Sequence, residues 1–174
     1  RRDVFTPCSP PGVDVQEAYV TPLSLPHSLQ LRAGKFFAPF GRMNQQHPHV
    51  WDFVDAPLAN GRLLAEENIG GPGVEVGWLT PLPFYSEVQV TVQNANGPTM
   101  KSFASTPSSA DEPFGSIGGR QFTSDFDVHS AEDLVYLARW LNGADLTDTL
   151  NFLFGLSGGY GPNPSGGDGR TFIY

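Results

Sequence analysis

Residues 74–93 read VEVGWLTPLPFYSEVQVTVQ, and this stretch decides the fold class. Apolar residues occupy every second position of residues 74–79 and again of residues 88–93, and two prolines lie between the two runs. A period of two is typical of β-strands that have one apolar and one polar face. Proline cannot donate to a β-ladder and is therefore found at strand ends. The stretch predicts an antiparallel hairpin.

The same alternation predicts two more hairpins, one on each side of this one. Together the three hairpins span about residues 13–37, 74–94 and 133–158. In the third hairpin, two alternating runs flank Asn142-Gly143, and Asn-Gly is among the strongest short turn signals. The chain is therefore predicted to be all-β, with about six antiparallel strands.

Two long connections separate the predicted hairpins. Residues 39–72 and 97–132 are rich in Gly, Pro, Asn and Ser, whereas the breaks within hairpins are short. Unstructured loops longer than about 15 residues are uncommon in compact soluble domains unless they are functional. Short turns that alternate with long loops are typical of outer-membrane barrels. The pattern predicts an incomplete antiparallel up-and-down transmembrane β-barrel in a bacterial outer membrane.

The composition excludes several other classes of protein. Gly (20) and Pro (16) make up about a fifth of the 174 residues, and charged residues only 16%, which disfavours a helical bundle. The net charge of −8 gives no electrostatic attraction to nucleic acid. The sequence contains no zinc-protease motif and no phosphate-binding loop, and we expect no enzymatic activity.

Two stretches resemble bacterial porin-like outer-membrane proteins. The first is LQLRAGKFFAPFGR at residues 29–42, followed by NQQHPHVWDFVDAPL at residues 44–58, and the second is GGPGVEV at residues 70–76 with WLTPLP at residues 78–83. These proteins are related to phosphate-selective porins, and some are described as zinc-regulated TonB-dependent receptors. The resemblance implies a barrel in outer-membrane lipid that passes a small solute or ion. An energy-coupling protein and a second copy of the chain are further expected partners.

The number of strands is too small for a complete barrel. Six strands cannot enclose a lumen, because eight is the smallest usual number. Residues 171–174 begin a further strand pattern. We therefore expect an interior piece of a larger porin-like barrel. The rival hypothesis is a soluble secreted β-sandwich that binds a ligand through its long loops, in which the apolar faces of two sheets pack together.

The pleat of the strands predicts which side chains line the channel. If the apolar residues face lipid, the alternate residues face the interior. The predicted lining residues are Gln30, Arg32, Lys35, Glu75, Gln89, Thr91, Gln93, Asn151 and Ser157, with Lys35 near the mouth. The alternation leaves Glu17 and Arg139 unassigned. Two basic residues are too few for the cationic rings of a phosphate-selective channel.

The first long connection contains the sharpest local motif, His47-Pro48-His49. In an extended stretch, residues i and i+2 point to the same side, so both imidazoles could hold one zinc ion, with Glu66 or Glu67 as a further ligand. The alternative is that the histidines pack against the barrel wall. The same connection is long enough to fold back and narrow the lumen. The predicted constriction residues are Trp51, Asp52 and Asp55.

Aromatic residues lie close to the predicted strand ends, where the two interfacial girdles of a barrel would be. They are Phe36, Phe37 and Phe40 at one end, Trp78, Phe84 and Tyr85 at the other, and Tyr136 and Trp140 in the fifth run. The alternative is that aromatic residues are common in the strands of any sheet.

Overall fold

One large antiparallel sheet dominates the structure, a computed structural model that describes residues 15–47, 50, 68–94, 102–103, 116–117, 120–121, 128–163 and 169–174. In chain order the strands are β1 (Ala18–Val20), β2 (Leu29–Phe37), β3 (Gly70–Leu79), β4 (Tyr85–Asn94), β5 (Ser116–Ile117), β6 (Arg120–Gln121), β7 (Leu134–Thr147), β8 (Leu150–Pro162) and β9 (Arg170–Ile173). The large sheet has the order β1-β2-β3-β4-β7-β8-β9, and β5 pairs with β6 separately. Short 3-10 turns at Pro26–Ser28 and Ala131–Asp133 precede β2 and β7.

The predicted antiparallel, up-and-down β-sheet is confirmed. Each of the three predicted hairpins forms, and the large sheet has seven strands instead of about six because residues 170–173 add β9. Across the described parts of the chain, β1 and β9 lie at opposite edges and do not pair, so the sheet is open.

No helix among the described residues is long and apolar enough to cross a membrane.

The third hairpin turns six residues later than predicted. Asn142 and Gly143 lie inside β7, opposite Phe154 and Leu153, and the chain reverses at residues 148–149. A Cβ atom on Gly143 would lie 3.5 Å from the Tyr85 ring on the neighbouring strand. Gly143 therefore pairs with Tyr85 and Leu153 inside the strand instead of forming the turn.

One side of the large sheet, here called the apolar face, carries rows of apolar side chains that run across the strands. One row contains Leu29, Trp78, Val88, Trp140 and Leu156, a second contains Leu31, Val76, Val90, Ala138 and Gly158, and a third contains Val20, Ala33, Val74, Val92, Tyr136, Tyr160 and Phe172. Most of the large side chains are exposed, including Trp140 at 46% and Phe172 at 67%. An apolar surface this extensive is unusual on a soluble monomer and marks an interaction surface.

The hydrophobic core lies on the other side of the same sheet, here called the polar face. Residues of the two long connections and of β7 form it, and these residues are Ala38, Ile69, Phe103, Val135 and Leu137. The Phe103 side chain is fully buried, and a Cβ atom on Gly161 would lie only 2.8 Å from its ring. The core therefore covers the end of the polar face at which the long connections leave the strands.

A contact between distant strands shows that the sheet curls around its polar face. Ser157 of β8 shares a cross-strand row with Gln30 of β2, four strand spacings or about 19 Å away. Phe37 lies seven residues beyond Gln30, about 23 Å along β2, so a flat sheet would separate Phe37 from Ser157 by about 30 Å. Four residues reach at most about 14 Å, yet Gly41 N–H donates to Ser157 Oγ at 2.9 Å. The polar face is therefore concave.

Candidate functional site

The first long connection begins by crossing the polar face, and we call residues 38–47 the crossing segment. Asn44 anchors it with a side chain that is almost completely buried. Its Nδ2 donates to Ala38 O and Ile69 O, both at 2.8 Å, and its Oδ1 accepts from Ile69 N–H at 2.7 Å. One side chain thus joins the residue after β2 to the residue before β3.

The crossing segment also contacts the far strands of the sheet. Gly41 bonds to Ser157 of β8, and Arg139 Nη1 of β7 donates to Gln45 Oε1 at 2.9 Å. Arg139 lies on the polar face because it is in register with Gln89. Sequence alternation alone left Arg139 unassigned, and the cross-strand register is what places it.

The structure places His47 beside a different carboxylate from the ones predicted. His47 Nε2 lies 3.4 Å from Glu17 Oε2, and the imidazole ring meets the Phe37 ring edge-on at 5.2 Å between centroids. His49, Glu66 and Glu67 lie outside the described residues, as do Trp51, Asp52 and Asp55. The described residues hold no group of three His, Cys, Asp or Glu suited to a metal ion. The zinc site and the constriction by these three residues stay predictions.

The predicted lining residues lie on the polar face, with one exception. Gln30, Arg32, Glu75, Gln89, Thr91, Gln93, Asn151 and Ser157 share its cross-strand rows. Lys35 is in register with Ala18 and Pro72 and has the alternation of the apolar face. The prediction of Lys35 as a lining residue rested on its place near a strand end. The alternation of side chains, counted from Arg32, instead puts Lys35 on the apolar face.

Arg32 is held by a charge and by two aromatic rings. Its Nη1 lies 3.7 Å from Glu75 Oε2. The guanidinium carbon lies 4.7 Å from the centre of the Tyr19 ring and 5.5 Å from that of Phe36. Phe36 is therefore buried on the polar face and does not belong to an exposed girdle, in contrast to the prediction. Trp78, Tyr136 and Trp140 are exposed on the apolar face, as a girdle requires.

Four buried oxygens on neighbouring positions of β3 and β4 have no hydrogen-bond partner among the described residues. They are Glu75 Oε2, Gln89 Oε1, Thr91 Oγ1 and Gln93 Oε1. The amide of Gln93 is oriented by its nitrogen, which donates to Phe36 O at 2.9 Å and to Gly71 O at 3.2 Å. Buried polar atoms of this kind are ordinarily satisfied by water or by a bound group. This part of the polar face is thus rich in hydrogen-bond acceptors.

The short-turn end of the sheet holds a groove of about 700 Å³. Its lining includes Leu79, Phe84 and Tyr85 from the second hairpin, and Asp145 and Asn151 from the third hairpin. Tyr85 OH donates to Glu87 Oε2, and Glu87 Oε1 accepts from Gln89 Nε2 at 3.0 Å. Polar groups therefore continue along the concave face from the crossing segment to this groove.

Comparison with known proteins finds a relative that matches part of the chain. No protein-family model and no solved structure match the chain. An uncharacterized protein from Aquifex aeolicus (strain VF5) is 48% identical to it over 79 residues. The match covers 45% of this chain and only 17% of the relative, so the chain matches a small part of a much longer protein.

Proposed function

We propose that the chain contributes its strands to a porin-like barrel of a bacterial outer membrane, which passes small solutes. The observation that carries the proposal is the exposed apolar face, opposite a concave polar face that holds the buried core. Lipid is the environment that stabilises such a face, because the transfer of each exposed apolar side chain out of water lowers the free energy.

The height of the apolar face agrees with this proposal. On β8 the alternate residues from Leu150 to Tyr160 belong to the apolar face, and the large ones are exposed. Ten steps of about 3.3 Å make about 33 Å, and a strand tilt of about 40° reduces this to about 25 Å along the membrane normal. The apolar band of outer-membrane barrels is about 25 Å tall.

The polar face supplies the proposed path for solutes. It carries charges of both signs, among them Arg32, Glu75, Glu87 and Arg139, together with the buried oxygens that accept no hydrogen bond from the described residues. The crossing segment lies over this face and would narrow the lumen. Its described residues Gly41 and Gln45 make the contacts, in a part of the connection that precedes the predicted constriction residues.

The rival, a soluble secreted β-sandwich, needs a second sheet packed on the apolar face. Within the described residues the second sheet consists of β5 and β6, with two residues in each strand. The apolar face is therefore exposed in the described part of the chain, and this exposure favours the membrane proposal over the sandwich.

The proposal is tested by expressing the protein from its complete reading frame in a bacterium with an outer membrane. We expect it in the outer-membrane fraction, extractable only with detergent, and with a gel mobility that changes when the sample is heated. In lipid vesicles it should release a small entrapped sugar. A soluble, monodisperse periplasmic protein with unchanged gel mobility would refute the proposal and favour the sandwich.

Zinc binding has its own test, since the transport role does not require it. If His47 and His49 hold zinc, replacing both by alanine should abolish zinc affinity in a titration of the assembled protein. Equal zinc binding by the protein with and without the two substitutions would exclude the site.

A further inference from the structure

We propose that Asn44 is a positioning residue that holds the crossing segment over the polar face, and that Gln45 thereby restrains Arg139 and sets the charge selectivity of the pore. The inference rests on the proposed function, since it needs a pore whose selectivity can be measured. It assigns roles to Asn44 and Gln45, for which the sequence predicted none.

Asn44 is suited to this role by its bonding. Its amide makes three hydrogen bonds, and all three go to backbone groups at the two ends of residues 38–69. A backbone bond from Ala38 N–H to Ile69 O at 2.9 Å joins the same two ends, and we call this closed base of residues 38–69 the neck. Because the side chain is buried, removal of its amide leaves the backbone N–H of Ile69 without its partner, and Ile69 O and Ala38 O each keep one backbone bond.

The neck fixes where the next residue lies. Gln45 follows Asn44 directly, and its side chain reaches across the concave face to Arg139 Nη1. Asn44 is tied where β2 ends and β3 begins, whereas Arg139 is on β7. Release of the neck therefore removes the support that keeps Gln45 on Arg139.

Arg139 differs from the other arginine of the polar face. Arg32 has a carboxylate partner 3.7 Å away and stacks on two rings. The contact of Arg139 is with a neutral amide, which restrains the guanidinium without cancelling its charge. When Gln45 leaves, the guanidinium can extend into the open part of the polar face and attract anions.

The test uses planar bilayers that contain the assembled protein in a potassium chloride gradient. Asn44→Ala should increase single-channel conductance and raise the permeability of chloride relative to potassium by about threefold. A threefold change corresponds to about one RT in the electrostatic energy of the ion. The double variant Asn44→Ala with Arg139→Gln should keep the larger conductance and lose the gain in chloride permeability. Gln45→Ala should raise chloride permeability alone.

The outcomes separate this inference from the proposed function. If the unmodified protein forms no pore, the proposed function fails, and the inference with it. If it conducts and a folded Asn44→Ala variant keeps its conductance and selectivity, only the inference is overturned. If Asn44→Ala does not assemble, Gln45→Ala decides, because its side chain is exposed and its loss leaves the neck intact. Unchanged selectivity in Gln45→Ala overturns the inference.

Discussion

The apolar face and the polar face consist of alternate residues of the same strands, yet their environments are opposite to those of a soluble sheet protein. Val90 and Trp140 on the apolar face are exposed, while Thr91 and Glu75 on the polar face are buried. Among the described residues of the long connections, Phe103 and Asn44 are buried on the polar face. The difference teaches that alternate side chains of each strand suit two different environments. One is the interior of the protein, and the other lies outside the chain.

The largest expected effect compares a ring on each face. Phe103→Ala should lower the free energy of unfolding by about 3–5 kcal/mol, because it empties a fully buried site next to Val135 and Gly161. The matched variant Phe152→Ala, on the apolar face, should cost about 1.5–3 kcal/mol in lipid vesicles and very little in aqueous buffer. Denaturant titration followed by tryptophan fluorescence measures both. If both substitutions lower the free energy of unfolding equally in buffer, the two faces do not differ in burial.

A charge placed on each face gives the next effect. Val90→Arg should cost about 2–4 kcal/mol in lipid vesicles, the range for arginine at the middle of the lipid-facing band. Gln30→Arg, whose side chain is exposed on the polar face, is the control and should cost less than about 1 kcal/mol. Unfolding titrations in vesicles provide the measurement. If both substitutions are equally mild, the apolar face does not meet lipid.

Within the polar face, Arg32 tests the importance of a balanced charge. Arg32→Gln should cost about 1–2 kcal/mol, because it leaves the buried Glu75 carboxylate without its cation. This is below the range for a fully buried pair, since the Arg32 side chain is 27% exposed and partly screened by solvent. Arg32→Lys keeps the charge and loses the stacking on Tyr19 and Phe36, so it should cost about 0.5–1 kcal/mol. A larger loss for lysine than for glutamine would contradict this ranking.

The smallest effect lies outside the sheet, at the 3-10 turn before β7. Backbone N–H groups of His129 and Ser130 donate to Asp133 and lower the pKa of its carboxyl below the ordinary 3.8. Because the folded pKa is the lower one, the stabilisation is complete above pH 3.8 and is lost as the pH falls through the folded pKa. The protection of the His129 and Ser130 amides against exchange, relative to an unstructured peptide at the same pH, should therefore fall only in acid. Asp133→Asn should weaken this pH dependence, and an unaltered profile would argue against the carboxylate as its cause.

The sequence was sufficient for the strands of the three hairpins and for most of their faces, but β5 and β6 lie in a predicted loop. Alternation of apolar and polar residues assigned Gln30, Glu75 and Thr91 to one side, because the period of a strand is fixed by its pleat. It did not predict the length of the third hairpin. A local Asn-Gly preference was outweighed there by pairing that continued through the aromatic residues of β8.

The anchors of the crossing segment could not be predicted in the same way. Asn44 bonds to Ile69 across 25 positions and Gln45 to Arg139 across 94. Such contacts depend on how far the sheet curls, and no local pattern encodes that curvature. A lone asparagine followed by glutamine in a polar loop has no periodicity from which its partners could be deduced.

The order of the strands also bears on how the sheet assembles. All pairings in the large sheet join strands that follow each other along the chain, apart from β4 with β7, between which the small β5–β6 pair is inserted. The two-residue turn of the third hairpin closes more readily than the 32 residues between β2 and β3, by about 2.4 kcal/mol for four doublings of loop length. We therefore expect the hairpins to form first and to join each other later. Loop length, as well as pairing strength, sets the sequence of folding events.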